Sequence, residues 1–188
     1  MRTLRRSGRR AGHSLRVTSL LAVVLVGGAS LLTGCSGGEP ASPATTAAAG
    51  SELRTADFPA AVAAVEAELG PGQRYVEINA TPEGVNVFVA VDASDEVAYY
   101  FTDGRLEPPG EAAPRTSTPF TLDGIDLSLG ERLVRETEER FPGATVVSAA
   151  LVQLPEGLRW ALRSRSSQGG LLNVLFTPTG ELTSVAPV

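Results

Sequence analysis

Residues 82–106 read PEGVNVFVAVDASDEVAYYFTDGRL, and their alternation decides the fold. Val85, Val87, Val89 and Val91 recur at every second position, which puts them on one face of a β-strand. After the short connection Ala93-Ser94-Asp95 the same period returns in Val97, Tyr99 and Phe101, so the two runs are expected to close an antiparallel hairpin.

The segment has a second copy downstream. Pro82-Glu83-Gly84-Val85 recurs as Pro155-Glu156-Gly157-Leu158. Phe101-Thr102-Asp103-Gly104-Arg105-Leu106 recurs, at nearly the same interval, as Phe176-Thr177-Pro178-Thr179-Gly180-Glu181-Leu182. In this copy Leu158, Trp160 and Leu162 take the place of the first valine row, and Leu172, Val174 and Phe176 take that of Val97, Tyr99 and Phe101, with Ser166 to Gly170 as the connection.

A helical pattern precedes each copy. The first is expected to start at Asp57 as N-cap with Pro59 in the first turn, and Phe58, Val62, Val65 and Leu69 form its core-facing stripe. In the second, Ser128 and Glu131 have capping-box spacing, and Leu133 or Val134, Thr137 and Phe141 form the stripe beside a charged solvent face. The fold expected is therefore α+β: two α-β-β-β repeats at 53–106 and 125–188, with helices packed on an antiparallel sheet. Residues 107–124 are too rich in proline for either element and are expected to be a linker. Neither repeat has much core alone, so the two should share a sheet or pack closely.

Helix plus antiparallel strands, twice over, resembles the PepSY-like and β-lactamase-inhibitor-protein-like domains of exported bacterial proteins. The segments YYFTDGRL and NVLFTPTGEL are similar to the strand-turn-strand end of PepSY repeats, where a hydrophobic strand runs into a polar glycine turn. The resemblance implies binding or inhibition of other envelope proteins, without catalysis.

The amino-terminal segment, 1–34, has a different character. Six arginines and no acid occupy residues 1–16, followed by the apolar run VTSLLAVVLV and then Gly27, Gly28 and Ala29, the pattern of a secretory signal rather than a permanent span. Leu32-Thr33-Gly34-Cys35 then resembles the lipobox of bacterial lipoproteins, and Cys35 is the only cysteine of the chain. The resemblance implies cleavage before Cys35 and a diacylglyceryl thioether on its sulfur, with palmitate-type acyl chains; an ordinary secretory signal beside an incidental cysteine is the alternative. Two acyl chains anchor a protein stably where one does not. The expected location is thus the extracytoplasmic face of the cell membrane. Neither Arg5-Arg6 nor Arg9-Arg10 is followed by Phe-Leu, so the export route, Sec or Tat, stays open. Cys35 and residues 36–52, composed of small residues and prolines, read as a flexible tether reaching about 20–25 Å.

Composition removes several function classes. Losing residues 1–34 takes six arginines and no acid from a chain of formal charge −5, leaving −11. Such a surface repels nucleic-acid phosphates. All sixteen basic residues are arginine, and together with the lipobox this is similar to an actinobacterial lipoprotein. The single histidine, His13, leaves with the signal. No imidazole base, lysine amine, second thiol or nitrogen or sulfur metal ligand remains, so neither an enzyme nor a cofactor or metal site is expected. The leading expectation is a non-catalytic module for an envelope protein. A carrier of an apolar ligand or lipid is the alternative, and a carboxylate-dependent hydrolase is third.

Four candidate sites follow. Arg159, Arg163 and Arg165 share one face of the strand LRWALRSR, where guanidinium forks suit carboxylates, unless cross-strand acids already occupy them. Tyr100 and Phe88 alternate away from the valine face and either form an exposed aromatic patch or are buried between the repeats. Trp160 alternates with Leu158 and Leu162, which favours the core over an interface anchor. Asp92, Asp95 and Glu96 could offer oxygens to Ca²⁺, but they lack EF-hand spacing and read better as a solvated turn.

Overall fold

The computed structural model describes residues 52–115 and 117–188; the expected signal segment, the expected lipobox with Cys35 and the expected tether up to residue 51 lie outside them. A 3-10 turn at Thr55–Asp57 leads into α1 (Phe58–Leu69). Strands β1 (Tyr75–Ala80), β2 (Val85–Ala90), β3 (Asp95–Thr102), β4 (Arg105–Leu106) and β5 (Ala113–Pro114) follow. After α2 (Leu129–Arg140) come β6 (Ala144–Leu154), β7 (Gly157–Ser166), β8 (Leu171–Phe176) and β9 (Leu182–Pro187). The protein is thus a mixed α+β fold in which nine strands form one antiparallel sheet, ordered β4-β3-β2-β1-β6-β7-β8-β9, with β5 also on β3.

Both helices lie on the same face of this sheet. Phe58, Ala61, Val62 and Val65 of α1 and Leu133, Val134 and Thr137 of α2 are buried with Val85, Val87, Val89, Trp160, Leu162 and Phe176 of the strands. The two-residue period holds through β2 and at Tyr99, Phe101, Trp160, Leu162, Val174 and Phe176, which enter the core, whereas Val97, Leu158 and Leu172 of the expected rows are only partly buried. The close approach of α2 is tightest at Gly130, where a Cβ would stand 2.7 Å from Phe58 Cε2.

Several local expectations are corrected. Leu69, the last residue of the α1 stripe, is 39% exposed because the helix outruns the sheet, and Val91 is 51% exposed beyond the end of β2. Asp57 makes no cap hydrogen bond, since the 3-10 turn continues helically through it, and its carboxylate lies 3.8 Å from Arg54. Ser128 does not cap either: its N–H and hydroxyl both donate to Asp126 Oδ1, at 2.9 and 2.6 Å. Those two donors, hydroxyl first, hold the Asp126 carboxyl below its ordinary range.

The proline-rich segment is more than a linker. Glu107 N–H donates to Tyr100 O (2.8 Å), Gly110 N–H to Ala98 O (2.9 Å) and Arg115 N–H to Ser94 O (2.7 Å), and β5 pairs with Asp95 and Glu96. It covers the outer edge of β3 in pieces, because its prolines cannot donate to a continuous ladder. Beyond it Phe120 exchanges two backbone hydrogen bonds of 2.8 Å with Tyr75. Burial first, and then the Tyr75 hydroxyl's 3.0 Å hydrogen bond to Glu66, push the Tyr75 phenol up from its ordinary value.

Candidate binding face

The face of the sheet turned away from α1 and α2 holds the candidate site. Its geometry follows from the register. Tyr100, Asn86, Asn79, Ala150, Ala161 and Leu175 stand side by side across strands β3, β2, β1, β6, β7 and β8. In the row on one side Phe88, Glu77, Val152 and Arg159 follow one another, and in the row on the other Ser148, Arg163 and Asn173 do. Ala150 and Ala161 are the smallest side chains of the central row, so a basin of about 350 Å³ opens above them. Glu77, Asn79, Val152, Arg163 and Asn173 form its rim.

Part of the rim is organised by hydrogen bonds. Asn86 Nδ2 donates to Asn79 Oδ1 at 3.0 Å, and Asn79 Nδ2 donates to Glu77 Oε1 at 2.7 Å, giving a ladder of amides that ends on a carboxylate. Two strands away Glu96 has one carboxylate oxygen buried without a partner. Burial, and secondarily repulsion from Glu77, raise its carboxyl above the ordinary range.

Of the three arginines expected to act together, two are left available. Arg159 folds back on its own hairpin, donating to Leu158 O at 2.7 Å and to Glu156 O at 3.0 Å. Arg163 and Arg165 are exposed and take part in none of the ion pairs found among the described residues. The cross-strand acids that could have neutralised them are not there: Arg163 stands between Ser148 and Asn173, and Arg165 between Thr145 and Leu171.

Tyr100 and Phe88 are half-buried on this same face. They are not buried between the halves of the chain, because those halves meet edge to edge through β1 and β6 rather than face to face. Phe88 pairs with Ala98, two residues from Tyr100, so the two residues are diagonal neighbours on the sheet. The hydroxyl end of Tyr100 lies over Gly84, where a Cβ would be 2.9 Å from its Cζ and Oη; only glycine admits that approach.

The remaining candidates fall elsewhere. Trp160 is fully buried on the helix side, with its ring centroid 5.6 Å from that of Phe58, and is therefore core rather than an interface anchor. Asp92 accepts from Ser94 N–H (2.7 Å), Ser94 Oγ (3.2 Å) and Asp95 N–H (2.8 Å). Arg115 donates to the Asp92 and Ala93 carbonyls, so the turn is closed upon itself. The backbone donors hold the Asp92 carboxyl below its ordinary range. Among the described residues no three ligand-type side chains gather in a way that would hold a metal ion.

Sequence reasoning did not single out Glu77, Asn79, Ser148, Ala150, Ala161 or Asn173. Small and amide side chains become a site only when the pairing of four strands brings them into one patch, and no periodicity announces that pairing. When the chain is compared with family models, with curated proteins and with solved structures, no family model, protein or structure matches it.

Proposed function

We propose that this chain is an extracytoplasmic lipoprotein, anchored through a lipid on Cys35, whose α+β head is a non-catalytic module that binds another envelope protein through the open sheet face. One observation carries the binding reading: a face covered by neither helix combines two half-buried aromatic side chains, a basin floored by alanines and two unpaired guanidiniums in an otherwise acidic protein. Charge depletion at the centre, aromatic side chains and arginine are what distinguish interfaces from other protein surface. The carrier reading is less favoured, because the space between helices and sheet is occupied by fully buried side chains such as Trp160, Phe58, Leu133 and Leu151.

The head is further read as two related α-β-β-β units. In support, Ile78 pairs with Leu151, and these positions are separated by the same interval along the chain as the turns beginning at Pro82 and Pro155. A two-fold relation between the halves would place that pair on its axis. The second hairpins are slipped by one pleat: Val85 opposes Phe101, whereas Trp160 opposes Phe176. That slip matches the longer interval between Phe101 and Phe176, which exceeds the interval between the two turns by one pleat.

Anchoring is tested by replacing Cys35 with Ala in cells and following the protein. Release into the medium, together with loss of a diacylglyceryl increment from the intact mass, is expected. Unchanged membrane retention and mass would refute the anchor. Binding is tested by photo-crosslinking from the open face in intact cells, and the absence of any adduct there would refute the module.

A further inference from the structure

The reading of the open sheet face as a binding surface can be taken one step further, to the chemistry of the segment it binds. We infer that the face takes an extended, acidic stretch of the partner polypeptide, with carboxylates on two alternate residues and a bulky apolar side chain on the next alternate one. This inference rests on the binding-module reading above.

Three observations converge on it. Arg163 and Arg165 are two residues apart on β7 and on the same side of the sheet, so their Cα atoms are separated by about 6.5–7 Å. An extended chain repeats its side chains at the same distance, so two alternate carboxylates meet two guanidiniums in step. Neither arginine has an acidic cross-strand neighbour, although the chain holds 21 acids against 16 basic residues, so charge complementarity is left for a partner to supply.

The third observation gives the apolar position. Continuing along β7 from Arg165 through Arg163, the next residue on this face is Ala161, and beside it Ala150 completes the floor of the basin, with Val152 on the rim. A side chain of leucine or phenylalanine size would fill a basin of about 350 Å³ only in part, leaving room for its backbone to approach. Asn173, next to Arg163 in the sheet, offers an amide to that backbone.

A nucleic acid or an anionic bilayer would also bring negative charge. Neither fits two arginines on a molecule this acidic, because such binding rests on many phosphate contacts and a broad basic surface.

The test uses the detergent-solubilised full-length protein and the labelled peptide acetyl-Ser-Glu-Thr-Glu-Thr-Leu-Thr, read by fluorescence anisotropy. Saturable binding is expected, weakened by salt and absent for the peptide with Lys in place of both Glu. Arg163→Glu/Arg165→Glu should weaken it by about tenfold or more, while Arg135→Glu on α2 leaves it unchanged. Unaltered thermal unfolding shows that the double variant is folded. No binding of the acidic peptide, equal binding by the double variant, or arginine-dependent binding of phosphatidylglycerol vesicles that the peptide does not displace would each overturn the inference. If crosslinks in cells form at this face and survive the double reversal, the acidic segment is refuted while the binding face stands. If none form, the reading beneath it has failed.

Discussion

The two faces of the sheet are built from alternate residues of the same strands, yet they differ in kind. On the helix side Val85, Val87, Trp160, Leu162 and Phe176 are wholly buried. On the open side Asn86, Phe88, Ala161 and Asn173 remain half-buried, and Arg163 is exposed. One face is specified by volume and the other by chemistry: packing dictates what the first can hold, whereas alanines and unpaired arginines on the second serve no packing need. An antiparallel sheet tolerates this asymmetry because its ladder is complete whatever lies on either side.

The largest effect that should separate the faces comes from Trp160→Ala. Removing a fully buried indole that touches Phe58 is expected to cost about 3–5 kcal/mol in urea or thermal unfolding. A loss under about 1 kcal/mol would mean that the helix face is far less tightly filled than described. Next comes Gly130→Ala. Its new methyl would enter the space of the Phe58 ring, and the expected overpacking loss of about 1–3 kcal/mol exceeds the gain of about 1 kcal/mol in helix propensity. A stabilised variant would show that α2 has slack against α1.

A smaller, conditional effect belongs to Tyr75. Its phenol is raised in the folded state, so its contribution is fully present below the unfolded value of 10.0 and is lost as the pH rises beyond it and the unfolded chain ionises first. Unfolding free energies measured between about pH 9 and 11 should therefore fall for the wild type more steeply than for Tyr75→Phe. Parallel curves would contradict the buried, Glu66-bonded hydroxyl. The smallest effect is expected on the open face, where Ala161→Phe should alter stability by no more than about 0.5 kcal/mol while blocking the basin to any partner. A large loss there would erase the distinction between the faces.

Much of the helix face was legible from residue order alone. The valine row of β2, the stripe Phe58, Val62, Val65 and the burial of Trp160 all follow from periodicity, which records which side of an element meets the core. Where the pattern failed, it failed at the ends: Leu69 and Val91 keep the period but lie beyond the sheet, and Asp57 and Ser128 look like caps although the chain enters each helix through a turn already helical. Strand β9 carried no signal, since Thr183 to Pro187 are exposed at the sheet edge and have no buried face to alternate with. The basin was invisible for a different reason. Ala150 and Ala161 become neighbours only through a register set across β6 and β7, and Arg159 looks equivalent to Arg163 until its own hairpin carbonyls claim it.

The most direct test of the binding face places a photo-activatable amino acid at position 161, or at Glu139 on the solvent side of α2, in the full-length protein within intact cells. The account predicts a discrete envelope-protein adduct from position 161, abolished when Phe88 and Tyr100 are both replaced by Ala, and none from position 139. Adducts of equal yield from both positions, or none from 161, would contradict it.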